Sequence, residues 1–600
     1  MSKADMNEKK LRRMISAVGD GRVSRRSFIN RMIAFGLTAP MASQMLMHAD
    51  VAVAQTPFKY APTKRGGGGV LKLLWWQGPT LLNPHFAVGS KDQDGSRLFY
   101  EPLASWSEEG ELVPVLATEI PSKENGGLAA DGLSVTWKLK KGVQWHDGKP
   151  FTADDVVFNW EYAIDPATAA SSVGLYKDAK VEKIDDLTVK VIFEKPTPFW
   201  ALAFCGYYGM IIPKHLFNEY KGAKSREAPT NLKPVGTGAY RYVDFKPGDL
   251  VKAELNPNYH VENMPHFDTI EMKGGGDAVS AARAVLQTGE YDFAWNTQVE
   301  DEILLKMEQG GKGKTVLVVG GNIEHIGVNT TDPNTEVDGE RSSVKTKHPT
   351  LSDPAVRKAL TLLVDRASIE KFIYGRTGAA TALFVNNPQQ FRSKKTYEFN
   401  IDKANAMLDA AGWAKGADGI RAKDGKQLKF VFSTSINAPR QKTQAIIKQA
   451  CQKAGINLEL KSVVGSVFFS SDFANPDTYA KLYSDIQMFT TTMGAPDPAA
   501  FLQQFISSEI ATKENKWSGR NYTRFRNARV DELSKMADIE LDPIKRAAML
   551  IELHDIAIDE VAVIPIVYRP SAHARATALK GRLSGWDSPV YDIAAWYREA

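Results

Sequence analysis

Apolar and polar residues alternate through Val135, Trp137 and Leu139, the period of a strand with one buried face. Asp147-Gly148 then marks a tight turn, because Gly tolerates positive φ and Asp bonds the backbone beyond it. Thr152 and Asp155 stand three apart ahead of the next apolar run, so a helix begins there with a reciprocal N-terminal cap. Farther on the period becomes helical. Val356, Leu360, Leu363 and Val364 share one face behind Asp353-Pro354, an N-cap followed by a first-turn Pro. Helices are also expected from Asn400 to Ala411, closed by Gly412, and from Arg440 to Ala454. The run Ile456 to Leu460 alternates as a strand. Strands and helices therefore mix along the whole chain.

The first 54 residues stand apart from this pattern. Ser24-Arg25-Arg26-Ser27-Phe28-Ile29 resembles a twin-arginine export motif, and a weakly apolar run from Met32 to Met47 follows it. Ala52-Val53-Ala54 offers small residues where a signal peptidase cuts, which sets the expected cleavage before Gln55. The apolar run is interrupted by Pro40, Ser43 and Gln44 and falls short of the roughly 20 residues that span a bilayer. No Cys stands at the cleavage site, so a lipid anchor is not expected.

Charge follows the same division. Residues 1–54 hold nine Lys/Arg and four acids, which accounts for the whole formal charge of +5. The remainder is neutral, with no basic face of the kind a nucleic-acid partner needs. Cys205 and Cys451 are too few for a disulfide framework and read as buried thiols, although a single bridge between them stays open.

About 545 residues follow the signal, too many for one core, so two or more lobes are expected. Lys64-Arg65 and the four Gly after them read as a flexible lead-in. A set of short motifs then runs in order through the chain. It includes Leu82-Asn83-Pro84-His85, Phe99-Tyr100-Glu101-Pro102-Leu103 and the segment from Gly142 to Trp160. Pro234-Val235-Gly236-Thr237-Gly238-Ala239-Tyr240, Asn256-Pro257-Asn258-Tyr259 and Val328-Asn329-Thr330 continue it. Asp353 to Leu360, Leu408 to Trp413, Asp497 to Leu502 and Pro565-Ile566-Val567-Tyr568 complete it. Each is weak alone, yet in register they are specific. The chain resembles the peptide-type extracellular solute-binding proteins of ABC importers, the oligopeptide/dipeptide/nickel-binding family 5.

That resemblance implies an α/β fold of two lobes with a hinge, and an extra subdomain inserted in the first lobe. Its expected division is a signal peptide at 1–54 and a lead-in at 55–69. Lobe I is expected at 70–103, 212–329 and 566–600, the insert at 104–211 and lobe II at 330–565. It further implies a periplasmic protein, a monomer, that closes on a small-molecule or peptide ligand. The ligand would pass to a permease and ATPase complex, and the twin-arginine translocase would serve export. A sensor that presents ligand to a membrane receptor is the same fold put to another use.

The rival class is an exported, cofactor-dependent enzyme. The sequence holds no HExxH, CxxC, GxSxG, GxGxxG or P-loop pattern, and its ten His lack metal-ligand spacing. His146-Asp147 reads as part of a turn. Gly274-Gly275-Gly276-Asp277 has the glycines of a phosphate loop but not its Lys-Ser/Thr, and leads into a helix from Ala278 to Thr288. No catalytic residue, metal ligand or cofactor is assigned.

Candidate ligand contacts are the aromatic clusters and polar loops, since a sealed cleft is mostly apolar with few polar anchors. Trp75-Trp76 ends an apolar strand, and adjacent positions face opposite sides, so one ring or neither meets the cleft. Tyr207-Tyr208 and Trp295-Asn296 fall where the resemblance places pocket walls. Asp92 and Asp94 lie in a polar loop, as solvated acids or as anchors for a cation. The last candidates are Thr491, Thr492, Met493 and Gly494. In the peptide binders that the chain resembles, an Asp at the position of Gly494 grips the ligand's α-amino group, and an aromatic residue stands near Thr491. Either another acid, Asp92 or Asp94, substitutes, or the ligand is not an ordinary peptide. An opine and an oligosaccharide are the alternatives. Asp497 is read as the N-cap of a helix beginning at Pro498.

Overall fold

A computed structural model describes residues 59–599, apart from Val88, Ser471 and Phe473. The expected export signal and its cleavage site lie outside the described residues. The chain enters through β1 (Val70–Trp75) and α1 (Ser90–Arg97), then makes an excursion through β2 (Ser134–Lys138), α2 (Ala153–Ile164), β3 (Ala179–Asp185) and β4 (Thr188–Phe193). It returns in β5 (Tyr240–Lys246), β6 (Leu250–Leu255), β7 (Thr269–Gly274), α3 (Ala278–Leu286), β8 (Phe293–Ala294) and β9 (Gly313–Val318). A second body follows, with β10 (Gly321–Val328), α4 (Pro354–Leu362), β11 (Ala379–Ala380), α5 (Ile401–Ala410) and β12 (Lys429–Ser435). It continues through α6 (Ala438–Lys453), β13 (Asn457–Val463), β14 (Ile486–Met493), α7 (Pro543–Asp559) and β15 (Val563–Tyr568), and β16 (Ser571–Ala576) re-enters the first body.

Pairing sorts these strands into two main sheets. The first runs β9-β16-β8-β1-β7-β6-β5, with β1 parallel to both neighbours. The second runs β11-β15-β10-β14-β12-β13, with β12 parallel to β13 and β14. Two large apolar cores back them, one spanning the first sheet, the insert and part of the second body, the other within the second body. The insert carries its own sheet, β2-β4-β3.

The chain passes between the sheets at two places, Val319-Gly320 and Arg569-Pro570. These run side by side, because β9 pairs with β16 below them (Val318 opposite Ser571) and β10 pairs with β15 above (Ile323 opposite Tyr568). Strand pairing therefore moves the expected borders. Residues 321–328 and 566–568, assigned above to lobe I, are strands of the second sheet. Strand-forming sequence continues on either side of both crossings, Leu317-Val318 into Ile323 and Val567-Tyr568 into Ala572, so the pattern does not place the border.

The local signals folded as their chemistry dictates. Thr152 and Asp155 form the reciprocal cap of α2, and Asp147 accepts the Lys149 N–H in the turn before it. Asp353 caps α4 and Asn400 caps α5. The lead-in is not free. Arg65 donates to the carbonyls of Tyr259, Val261 and Met264, and Asp268 accepts the N–H groups of Gly67 and Gly69, which ties this segment down. Asp497 precedes the short helix Ala499–Leu502, whose N-cap is Pro498; it accepts the Ala499 N–H and forms a buried bidentate pair with Arg546 of α7. Cys205 and Cys451 are buried and unbonded to each other.

Candidate functional site

A cavity of about 730 Å³ lies between the two sheets and is lined by residues of both. Most of its first wall comes from strand ends. β1 finishes at Trp75, whose ring is fully buried, stacks on Trp295 at 6.0 Å and donates its Nε1–H to Asp94 at 3.0 Å. Trp76, the next residue, points the other way, lines the cavity and donates to the Asn296 carbonyl at 3.0 Å. Trp295 and Asn296, just after β8, line it too; Asn296 holds a left-handed φ of 47°, a conformation Asn adopts with little strain.

Asp92 and Asp94 are not in a loop. They lie on α1, and both are buried, although the helix has no apolar stripe to predict it. Asp92 turns away from the cavity, accepting the Thr80 N–H at 2.7 Å and pairing with Lys91. Asp94 lines the cavity, held by Ser588 and Trp75. Burial pushes its carboxyl up to about 7, against the pull of those two donors. Burial likewise raises neighbouring Asp587 to about 6, and holds His573 neutral by lowering it to about 3.

The insert contributes Tyr207 and Tyr208, in a single helical turn, with ring centroids 4.1 Å apart and hydroxyls at 3.0 Å. They press on Gly494. A Cβ there would stand 2.6 Å from the Tyr207 hydroxyl and 2.6 Å from Tyr208 Cε2. The side chain missing at 494 is thus replaced, in space, by two phenol rings from the other lobe.

The second wall is β14 and its neighbours. Thr490, Thr491, Thr492 and Gly494 line the cavity. Met493 does not, because it lies over Gly321 of β10, where a Cβ would approach it to 2.4 Å. Of the twelve candidate residues the fold thus brings nine to the cavity: Trp76, Asp94, Tyr207, Tyr208, Trp295, Asn296, Thr491, Thr492 and Gly494. Trp75, Asp92 and Met493 support it from behind.

Sequence reasoning missed the polar centre of this wall. Glu324 of β10 is fully buried and takes the Nε–H of Arg440 at 2.8 Å, the Gln298 amide at 3.2 Å and the Thr490 hydroxyl. The Arg440 guanidinium holds that carboxyl below its usual range despite burial. Arg569, on the second crossing, donates to Thr490 at 2.8 Å and to Asn296 at 3.2 Å. Phe469, Tyr479 and Phe489 add an aromatic flank. Among the described residues no group of three or more His, Cys, Asp or Glu is placed to hold a metal, and no helix is long and apolar enough to cross a membrane.

Two sheets joined by paired crossings around one deep cavity define the two-lobed periplasmic-binding-protein fold. Residues 111–513 match the family model of bacterial extracellular solute-binding proteins, family 5. The chain belongs to that family. It is 29% identical over 532 residues to the oligopeptide-binding protein AppA of Bacillus subtilis, covering 86% of this chain and 90% of that one. It is 26% identical over 511 residues to the glutathione-binding protein GsiB of Escherichia coli K12, covering 84% and 89%. The solved structure of B. subtilis AppA with a nonapeptide superposes with a TM-score of 0.75 at 25% identity, covering 90% of this chain and all of that one. NikZ of Campylobacter jejuni, solved with Ni(L-His), superposes with a TM-score of 0.74 at 22% identity, covering 88% and 99%.

Proposed function

We propose that this protein is the periplasmic receptor of an ABC importer for a peptide or peptide-like solute. It closes its lobes on the ligand and delivers it to a permease and ATPase complex, as a monomer and without chemistry of its own. The observation that carries this reading is the cavity itself. Its roughly 730 Å³ suit a small organic solute, and it joins aromatic faces from both lobes to a few buried polar groups. The oligopeptide- and glutathione-binding relatives support it.

The lobes are assigned as 70–103, 212–320 and 570–600 for the first and 321–569 for the second, with 104–211 as the insert. Export is assigned to a twin-arginine signal in residues 1–54, cut before Gln55. Replacement of Arg25 and Arg26 by Lys leaves the precursor in the cytoplasm if that route is used.

A second reading has one observation behind it. The rings of Tyr207 and Tyr208 fill the space at Gly494, so an opine or an oligosaccharide, which needs no amine anchor there, also fits. A thermal-shift screen of the protein from Gln55 onward decides between them. A ligand at a hundredfold excess over Kd raises stability by about 2.7 kcal/mol. A shift with peptides upholds the first reading. A shift with sugars or opines alone replaces it with the second, and no shift with any of them counts against a receptor.

A further inference from the structure

Arg569 is a buried cation without a carboxylate in direct contact, its nearest counter-charge being the shared Glu324. It is only 3% exposed, and among the described residues no carboxylate stands within ion-pair distance of it. Its side chain bonds only neutral acceptors, Thr490 Oγ1 and Asn296 Oδ1. The nearby carboxylate is already committed. Glu324 receives two bonds from Arg440, one from Gln298 and one from Thr490. One acid thus serves two guanidiniums, and the cluster keeps a net positive charge at the cavity wall. Buried charges are otherwise paired, because desolvation is expensive. His573, beside it in the lining, is neutral and offers no compensation.

We propose that Arg569 is the receptor for a carboxylate of the ligand. The planar guanidinium presents paired N–H groups at the spacing of two carboxylate oxygens. Its two protein bonds occupy one N–H on each terminal nitrogen, so further donors remain for the ligand. Its position adds a second consequence. Thr490 belongs to the second sheet, Asn296 follows a strand of the first, and Arg569 itself forms the crossing between them. An anion docked there is therefore held at the hinge, by a group already bonded to both lobes. The ligand class is an acidic or zwitterionic solute with an accessible carboxylate, rather than a neutral sugar. This deepens the receptor reading above and rests on it.

The test uses the protein from Gln55 onward and a pooled tetrapeptide library lacking Asp and Glu, supplied as free acids and as C-terminal amides. Melting temperature is the readout. The amides need about 30-fold or more concentration for the same shift, the fold-change for loss of one buried charge pair. Arg569→Gln abolishes the difference between acids and amides, and Arg569→Lys, which keeps the charge but not the fork, retains part of it. Equal responses to acids and amides in the unaltered protein overturn the proposal, as does undiminished discrimination in both variants. If neither pool binds, the peptide reading fails by itself. Glutarate titrated against the intrinsic fluorescence, with Trp76 and Trp295 in the wall, then judges Arg569 separately. Quenching that Arg569→Gln removes sustains the carboxylate site; no quenching, or equal quenching, overturns it.

Discussion

Gly494 and Tyr207 occupy complementary space across the cleft: a Cβ at 494 would lie 2.6 Å from the Tyr207 hydroxyl. No positive φ is involved, so contact alone excludes a side chain. Gly494→Ala and Gly494→Asp should each destabilise the protein by about 1–3 kcal/mol, the usual effect of overpacking. Urea unfolding measures this, and Tyr207→Ala together with Tyr208→Ala in the same chain should relieve most of it. An unchanged midpoint in Gly494→Asp would show that the two rings yield freely.

Asp94 supplies a pH dependence. Its carboxyl titrates near 7 in the folded protein, against 3.8 for the unperturbed group, because burial disfavours the charged form. The folded state therefore holds its proton more tightly. The associated stability is fully present below about 3.8 and is lost as pH rises through about 7. Asp587, near 6, acts in the same direction over a lower window. The contribution of Asp94 should fall between pH 5 and pH 8, so Asp94→Asn, which has no carboxyl to ionise, should gain stability relative to the unaltered protein across that range. Denaturation midpoints at the two pH values provide the comparison, and parallel curves for the two proteins would contradict the assignment.

Glu324 and Arg440 form a buried pair, with Arg569 as a second, more distant cation acting on the same carboxylate. Arg440→Met removes the carboxylate's direct ion-pair partner, leaving only the more distant Arg569, and should cost about 3 kcal/mol. Adding Glu324→Met should recover a large part. A double variant no better than the single one would mean that Glu324 is satisfied by its neutral donors.

The cap of α2 ties the insert together. Asp155 accepts from Thr152 N at 3.0 Å, Trp145 Nε1 at 3.2 Å and Lys214 N at 3.0 Å. Thr152→Ala should cost about 1 kcal/mol, as for other N-caps. Asp155→Ala strands three donors and should cost about 2–3 kcal/mol. Equal effects of the two in chemical denaturation would reduce Asp155 to an ordinary capping residue.

The sequence was most legible where structure is local. The caps at Thr152, Asp353 and Asn400 are settled within three or four residues, so their chemistry can be read directly. The aromatic walls were legible as clusters, and alternation along β1 separates Trp76 from the buried Trp75. The polar centre was not. Arg569 is 79 residues from Thr490 and 273 from Asn296, and Glu324 is 116 from Arg440. No periodicity links such distant positions. The burial of α1 was equally hidden, since Ser90 to Arg97 reads as polar and only the surrounding fold encloses it.

The two crossings have a mechanical meaning. Each is only two residues long, and each is anchored at both ends to the same partner by antiparallel pairing. A ribbon of two such rails bends readily across its face but resists shear in its own plane. A closing motion about these two crossings would therefore run along one angle rather than many. On the proposed reading, whatever occupies the cleft would be translated into a single number, the degree of closure, and a membrane partner would need to sense nothing else to know that the receptor is loaded.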